Sequence, residues 1–372
     1  MKFIYPNFEK SNVNITATLA EYFNYKTSLP SLPILKKELE KNYKNVVFFI
    51  FDGLGYNNIK YLLNRKSFLR KNIKQKLTSV FPSTTTNATT SLISATPPME
   101  HGYFGWSIYY SQLNRNIDIY LGSDSQTKEL IPSDYVSSNY PFEPVYNLFN
   151  TDYIINTVFP KYIKTIANNN YYYENIDEMI NQVKNVCNSK GKQFIYCYCE
   201  EPDHSMHHYG PSSQEVKELV NHINTEVENL AKTTEDTLII ITSDHGQTDI
   251  TQYFDIINDK EMMDLLKTPP FLDFRATAFL VKDDQKTNFE KLFNKKFGKY
   301  FKLFKTSNLI KKGVFGVAKK DHSNLLGDYI SVAKKTNVAF KLNNFQENSK
   351  GHHSSLLKKE MEVALILITS KK

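Results

Sequence analysis

Four stretches of this chain set metal-binding side chains beside an apolar run: FIFDG at residues 49–53, EEPDHSMHH at 200–208, TSDHG at 242–246 and GHHSS at 351–355. Aspartate oxygens and histidine nitrogens suit zinc, and the carboxylates leave manganese open. His207 follows Asp203 by four residues, which on a helical turn puts carboxylate and imidazole on one face. His204 and His208 are neighbours that this spacing alone leaves open. Asp244 and His245 are consecutive, so both reach one ion only where the backbone bends, and Gly246 would relieve that bend. A fifth stretch, FPSTTTNATTSL at 81–92, crowds hydroxyls at the start of a helix-like segment, where open N–H groups and the positive dipole end favour an anion. A threonine there could attack phosphorus, although such hydroxyls also serve as N-caps.

These groups need a scaffold that brings distant segments to one place. Residues 46–51 (VVFFIF), 194–199 and 238–242 are continuous apolar runs, the pattern of strands buried on both faces of a parallel sheet. Asp52, the 200–203 acidic group and Asp244 sit at their carboxyl ends, where open α/β sheets hold ligands. Residues 152–158 read as a further strand, and VALILI at 363–368 as the chain's return to the core. Helical spacing is expected near 59–70, 175–187 and 213–231. Residues 107–144 are Tyr/Ser/Asn-rich and weakly periodic, and read as irregular chain across the mouth of the core. His101-Gly102 is expected to hold the loop before them.

Beyond residue 250 the pattern changes. Segments 275–282, 301–305, 314–319 and 328–333, with a helix at 288–297, suggest a small antiparallel lobe. The expected architecture is α/β: a mostly parallel central sheet flanked by helices, formed by 1–249 and 346–372, with a small α+β lobe inserted at 250–345.

The 372 residues, 41% of them hydrophobic, suffice for a large core. The start lacks a signal-type apolar region, and no run approaches the roughly 18 apolar residues of a membrane span. A soluble, cytoplasmic protein is expected. Cys187, Cys197 and Cys199 are too few for a disulfide framework, and Cys197 and Cys199 should share a strand face as buried thiols. The net charge of +7, with lysines dense at 291–320, suits anionic substrates, while the chain carries none of the patterns of a dedicated nucleic-acid binder.

With these residues in view, the sequence resembles the alkaline phosphatase superfamily and, within it, the type I phosphodiesterase/nucleotide pyrophosphatase family, over residues 46–368. In that family the attacking threonine follows a proline by three residues and precedes a His-Gly by sixteen. Pro82 and His101 select Thr85. The family's EPD-x3-H-x-Y-G-P motif selects Asp203 and His207 over His204 and His208, TSDHG gives Asp244 and His245, and the terminal GxHGG-L-x3-EM motif selects His353 over His352. Ser354 and Ser355 stand where the family usually has glycines, and Trp106 where many members have a phosphoryl-binding Asn. Trp106 is therefore the candidate substrate contact.

The resemblance implies two divalent cations, one held by Asp52, Thr85, Asp244 and His245, the other by Asp203, His207 and His353. It implies hydrolysis of a phosphodiester, pyrophosphate or nucleotide substrate through a covalent intermediate on Thr85. A phosphomonoesterase or phosphonate hydrolase of the same superfamily is the competing enzyme, and a non-catalytic metal- or nucleotide-binding protein the competing reading of another kind.

Overall fold

The computed structural model describes residues 2–163, 167–345 and 348–370. Residues 346–347, on the expected boundary between lobe and core, lie outside them. Seven strands form the central sheet: β1 (Asn45–Phe51), β2 (Ile73–Thr78), β3 (Ile154–Pro160), β4 (Asn169–Tyr173), β5 (Gln193–Cys199), β6 (Thr237–Thr242) and β7 (Glu362–Thr369). Their order is β2-β7-β6-β1-β5-β3-β4. The run β6-β1-β5-β3-β4 is parallel, and β7 lies antiparallel between β6 and β2.

The apolar runs explain the centre of this sheet. Along β1, Val47, Phe49 and Phe51 join the apolar cluster on one face, while Val46, Phe48 and Ile50 join that on the other. The side-chain period of two thus buries every residue of the strand. Cys197 and Cys199 share the first face as buried free thiols. Amphipathic helices cover the sheet. Asn175 accepts the Glu178 N–H at 2.9 Å to start Ile176–Cys187, and Ser213 caps Gln214–Thr233, which buries Val216, Val220, Ile223, Val227 and Leu230 along one stripe.

A second, antiparallel sheet stands beside the first. Its strand order is Phe301–Lys305, Tyr329–Ala333, Ala276–Phe279, Phe271–Leu272, Ser107–Tyr110, Arg115–Asp118 and Ser123–Asp124. The lobe segment therefore shares its sheet with residues 107–124, which the sequence reading treated as irregular. Those strands are short and polar, so periodicity is faint: Asp118 is buried and paired with Lys128 at 2.9 Å. Residues 314–319 form no strand. Gly313 and Gly316 take positive φ, and Val314 and Phe315 pack into the apolar cluster beneath. No described helix is long and apolar enough to cross a membrane.

Candidate active site

The carboxyl ends of β1, β5 and β6 meet the chain entering β7, and there the predicted residues converge. Asp52 follows β1, and Gly53 beside it takes φ +70°, with a Cβ at that position falling 2.8 Å from Asp203 Oδ1. Glycine is required for this approach. Asp203 opens the helix Asp203–Tyr209, whose geometry brings His207 Nε2 to 3.1 Å from Asp203 Oδ2. Gly246 serves packing where a bend was expected: its φ is not positive, but an added Cβ would meet Lys359 O at 2.2 Å.

The threonine segment is the helix Thr85–Ser94. Three of its hydroxyls turn back onto the helix, Thr89 donating to Thr85 O at 2.6 Å, Thr90 to Thr86 O at 2.7 Å and Ser94 to Thr90 O at 2.6 Å, which helps so polar a helix to be buried, while Thr86 Oγ1 is buried without a partner among the described residues. Thr84 holds the N-cap position, yet its side chain makes no cap hydrogen bond. It donates instead to Asp273 Oδ2 at 2.6 Å. Thr85 Oγ1 faces the sheet, 3.2 Å from His245 Nε2 and 3.5 Å from Asp52 Oδ1.

Two clusters result. In the first, His245 Nε2 lies 3.4 Å from Asp52 Oδ1 and 3.2 Å from Asp244 Oδ2. Asp244 Oδ1 accepts the Gly53 and His245 N–H groups at 3.1 and 2.9 Å, while Oδ2 is buried without a hydrogen-bond partner. In the second, Asp203, His207 and His353 converge. His207 Nδ1 lies 2.8 Å from Gly351 O and His353 Nδ1 3.1 Å from Ser83 O. Carbonyl oxygens only accept, so both Nδ1 atoms carry hydrogen, and the two Nε2 atoms are left facing each other at 3.3 Å. The rings of His245 and His353 stack at 3.8 Å between the clusters. Donor atoms of Asp52, Asp244 and His245 converge within 4.8 Å, as do those of Asp203, His245 and His353.

The electrostatics fit a cation. Burial, then the charges of Asp244 and Asp203, raise the Asp52 carboxyl far above the ordinary range, and burial raises Asp244 as well. Burial works the same way on Asp203, but His207 and His353 outweigh it and hold that carboxyl low. Burial and neighbouring His245 drive His353 well below the usual imidazole range. Three buried carboxylates, an orphaned carboxylate oxygen and two opposed imidazole nitrogens form a donor set that divalent ions would satisfy.

The other sequence candidates stand outside the two clusters, although His204, His352 and Trp106 line the site cavity. His204 and His208 are exposed. His352 is buried and stacked on Phe274 at 4.6 Å. His101 does hold its loop, with Nε2 2.8 Å from Ser91 Oγ and Nδ1 accepting the Tyr103 N–H at 3.0 Å. Trp106 lines the site cavity of about 700 Å³, together with Tyr120, Phe142, Phe159, Tyr162 and Tyr196.

Several supporting groups, Ser354 apart, were not singled out in the sequence. Tyr198 Oη donates to Asp52 Oδ2 at 2.5 Å, and Gln247 donates to Asp203. Asn12 Nδ2 donates to the carbonyls of Ser243 and Asp244 at 3.0 and 3.1 Å. Ser354 takes φ +94°, the left-handed region where the resembling family's glycine is at home. Its hydroxyl accepts the Arg275 N–H at 3.2 Å. Only tertiary contact reveals these roles. A tyrosine within an apolar run and an isolated Asn or Gln carry no local signature.

A family model of type I phosphodiesterase/nucleotide pyrophosphatase matches residues 46–353. Murine ectonucleotide pyrophosphatase/phosphodiesterase 5, an inactive form in complex with AMP, superposes with a TM-score of 0.64 at 17% identity, covering 87% of each chain. The human ectonucleotide pyrophosphatase/phosphodiesterase 5 gives 0.62 at 15%, again covering 87% of each. Phosphonoacetate hydrolase from Sinorhizobium meliloti 1021, in complex with phosphonoformate, gives 0.59 at 13%, covering 87% of this chain and 89% of that one. No curated protein matches the sequence. At these identities the solved structures speak for the fold alone: a mixed α/β architecture with a central sheet and flanking helices.

Proposed function

We propose, from the premise that this chain belongs to the type I phosphodiesterase/nucleotide pyrophosphatase family and is a hydrolase, that it cleaves phosphodiester or pyrophosphate bonds with Thr85 as nucleophile and two divalent cations. Asp52, Asp244 and His245 would hold one ion beside Thr85 Oγ1, and Asp203, His207 and His353 the other. The observation that carries this reading is the pair of Nε2 atoms 3.3 Å apart beside Asp203, each ring's Nδ1 spent on a carbonyl. Two imidazole lone pairs at that distance repel unless a proton or a metal ion lies between them. Zinc suits the mixed His/Asp donors, with manganese as the alternative.

When bound, the two ions would supply charge to make the Thr85 hydroxyl acidic and to neutralise the leaving oxygen. The chain's own part is positional. The cluster orients Thr85 Oγ1 out of the helix start, whose free N–H groups face the incoming phosphoryl oxygens. Attack forms the Oγ1–P bond and releases the alcohol or phosphate of the leaving group; water then cleaves that bond and restores the hydroxyl. The aromatic cavity accepts an organic arm of the ester, a small phosphate ester or nucleotide, and Trp106 is its proposed contact.

Bis(4-nitrophenyl) phosphate, 4-nitrophenyl phosphate, a dinucleotide pyrophosphate and phosphonoacetate, assayed before and after chelation, test the proposal. Hydrolysis of the diester or pyrophosphate, abolished by chelation and restored by zinc or manganese, is expected. Undiminished turnover after exhaustive metal removal would overturn the two-ion reading, and exclusive cleavage of phosphonoacetate would favour the phosphonate reading that the Sinorhizobium neighbour raises.

A further inference from the structure

The geometry points to Asp273 and Thr84 as paired positioning residues that fix where Thr85 stands, making one turn of the second sheet part of the phosphoryl-transfer machinery. This inference rests on the reading of Thr85 as nucleophile. Asp273 lies in the turn between strands Phe271–Leu272 and Ala276–Phe279, far in sequence from the threonine helix. Asp273 lines the site cavity and is 2% exposed, and Thr84 is 1% exposed.

Three features separate this contact from ordinary packing. Thr84 has the extended backbone of an N-cap, φ −138° and ψ 150°, but its hydroxyl leaves the helix N–H groups and donates to Asp273 Oδ2 at 2.6 Å. A cap contribution is given up for a tertiary bond. Asp273 is itself locked, because Oδ1 accepts the Phe274 N–H at 2.8 Å. Among the described residues no Lys or Arg pairs with Asp273, so a buried carboxylate is kept for hydroxyl and amide partners, an arrangement poor for stability and good for fixed direction.

The residue on the other side of Thr84 is held as firmly. Ser83 O accepts His353 Nδ1 at 3.1 Å, and Ser83 Oγ donates to Ser355 O at 2.9 Å. Ser83 is tied to the histidine segment, Thr84 to the second sheet, and Thr85 emerges between them toward Asp52 and His245. A nucleophile must stand within about 0.5 Å of its productive position, and a misplacement of about 1 Å costs about a hundredfold in rate.

Four variants test the pair: Asp273→Asn, Thr84→Val, their double, and Thr84→Ser. Each is assayed for kcat and KM on a nitrophenyl diester, metal content and thermal midpoint. Asp273→Asn leaves one acceptor oxygen for donors now shared by two. Both single variants are expected to lose about ten- to a hundredfold in kcat, with KM and metal content near wild type. The double should be no worse than the weaker single, because both remove one interaction. Thr84→Ser keeps the hydroxyl and should recover most of kcat. If Asp273→Asn fails to fold, the isosteric Thr84→Val still decides. Unchanged kcat in Thr84→Val, or losses that multiply in the double, overturns the inference while leaving the hydrolase reading intact. A wild-type protein inert toward every phosphate ester would overturn both.

Discussion

Replacing Glu360 by Gln breaks the most deeply buried ion pair of the site's surroundings. Arg275 and Glu360 are both 0% exposed, joined by Nε–Oε1 and Nη2–Oε2 bonds of 2.8 Å each. The same carboxylate accepts Ser355 N at 2.9 Å and Ser355 Oγ at 2.5 Å, and the Glu360 carbonyl accepts the Gly246 N–H at 2.9 Å. One side chain thus secures the segment after His353, and its backbone the residue after His245. Gln offers one acceptor oxygen to donors that met two, and turns an N–H toward the rest while the guanidinium stays buried and uncompensated. Breaking a buried pair from one side costs about 3–5 kcal/mol, a large share of the roughly 5–15 kcal/mol that holds a domain folded. With an unfolding entropy of about 2.1 cal/mol/K per residue, that is a fall in Tm of about 4–6 °C for a chain of this length. Circular dichroism of thermal and urea unfolding measures it, beside the Arg275→Met/Glu360→Leu double, in which apolar side chains replace both charges. The double should regain much of the loss, since it leaves no unpaired charge. A Glu360→Gln protein within about 1 kcal/mol of wild type, or a double less stable than the single, would refute this account of the pair.

Tyr198→Phe removes the hydroxyl on Asp52 and should weaken cation affinity about 10- to 100-fold by zinc competition; unchanged affinity would mean that the 2.5 Å contact does not tune the ligand. His207→Ala should abolish turnover and halve the metal content, whereas His208→Ala, at an exposed position, should leave both near wild type. His353→Ala should match His207→Ala. His352→Ala should keep its metal but lose about 1–3 kcal/mol in urea unfolding, because the ring is buried against Phe274.

Which residues gather at the sheet's carboxyl edge was more legible than the scaffold of the lobe. Asp52, Asp203 and Asp244 each follow a strand buried on both faces, so apolar runs of β-branched and aromatic residues announced both the strand and the position of its terminal ligand-type residue. Spacing of four placed His207 over Asp203 on a helix. The second sheet was harder. Ser107–Tyr110 and Arg115–Asp118 are four residues each, and their inward polar groups, such as Asp118 with Lys128, erase the alternation that marks a strand. Val314 and Phe315 gave the opposite error, apolar residues that pack as a loop between two positive-φ glycines. Thr84 looked like a cap by composition, and only the fold brings Asp273 to its hydroxyl. Ser354 was conspicuous as a departure from the resembling family's glycine. The structure shows the strained backbone that glycine would suit, and the hydrogen bond to Arg275 N that the serine makes there.

The most direct measurement of the central claim is the site of the covalent adduct. Rapid acid quench during diester turnover, followed by proteolysis and mass spectrometry, should find the phosphoryl group, still carrying its second ester arm, on Thr85, whose Oγ1 alone among the three threonines faces Asp52 and His245. Thr85→Ala should carry no adduct and keep most of its metal. An adduct on Thr84, Thr86 or a histidine, or full turnover by Thr85→Ala, would contradict the account.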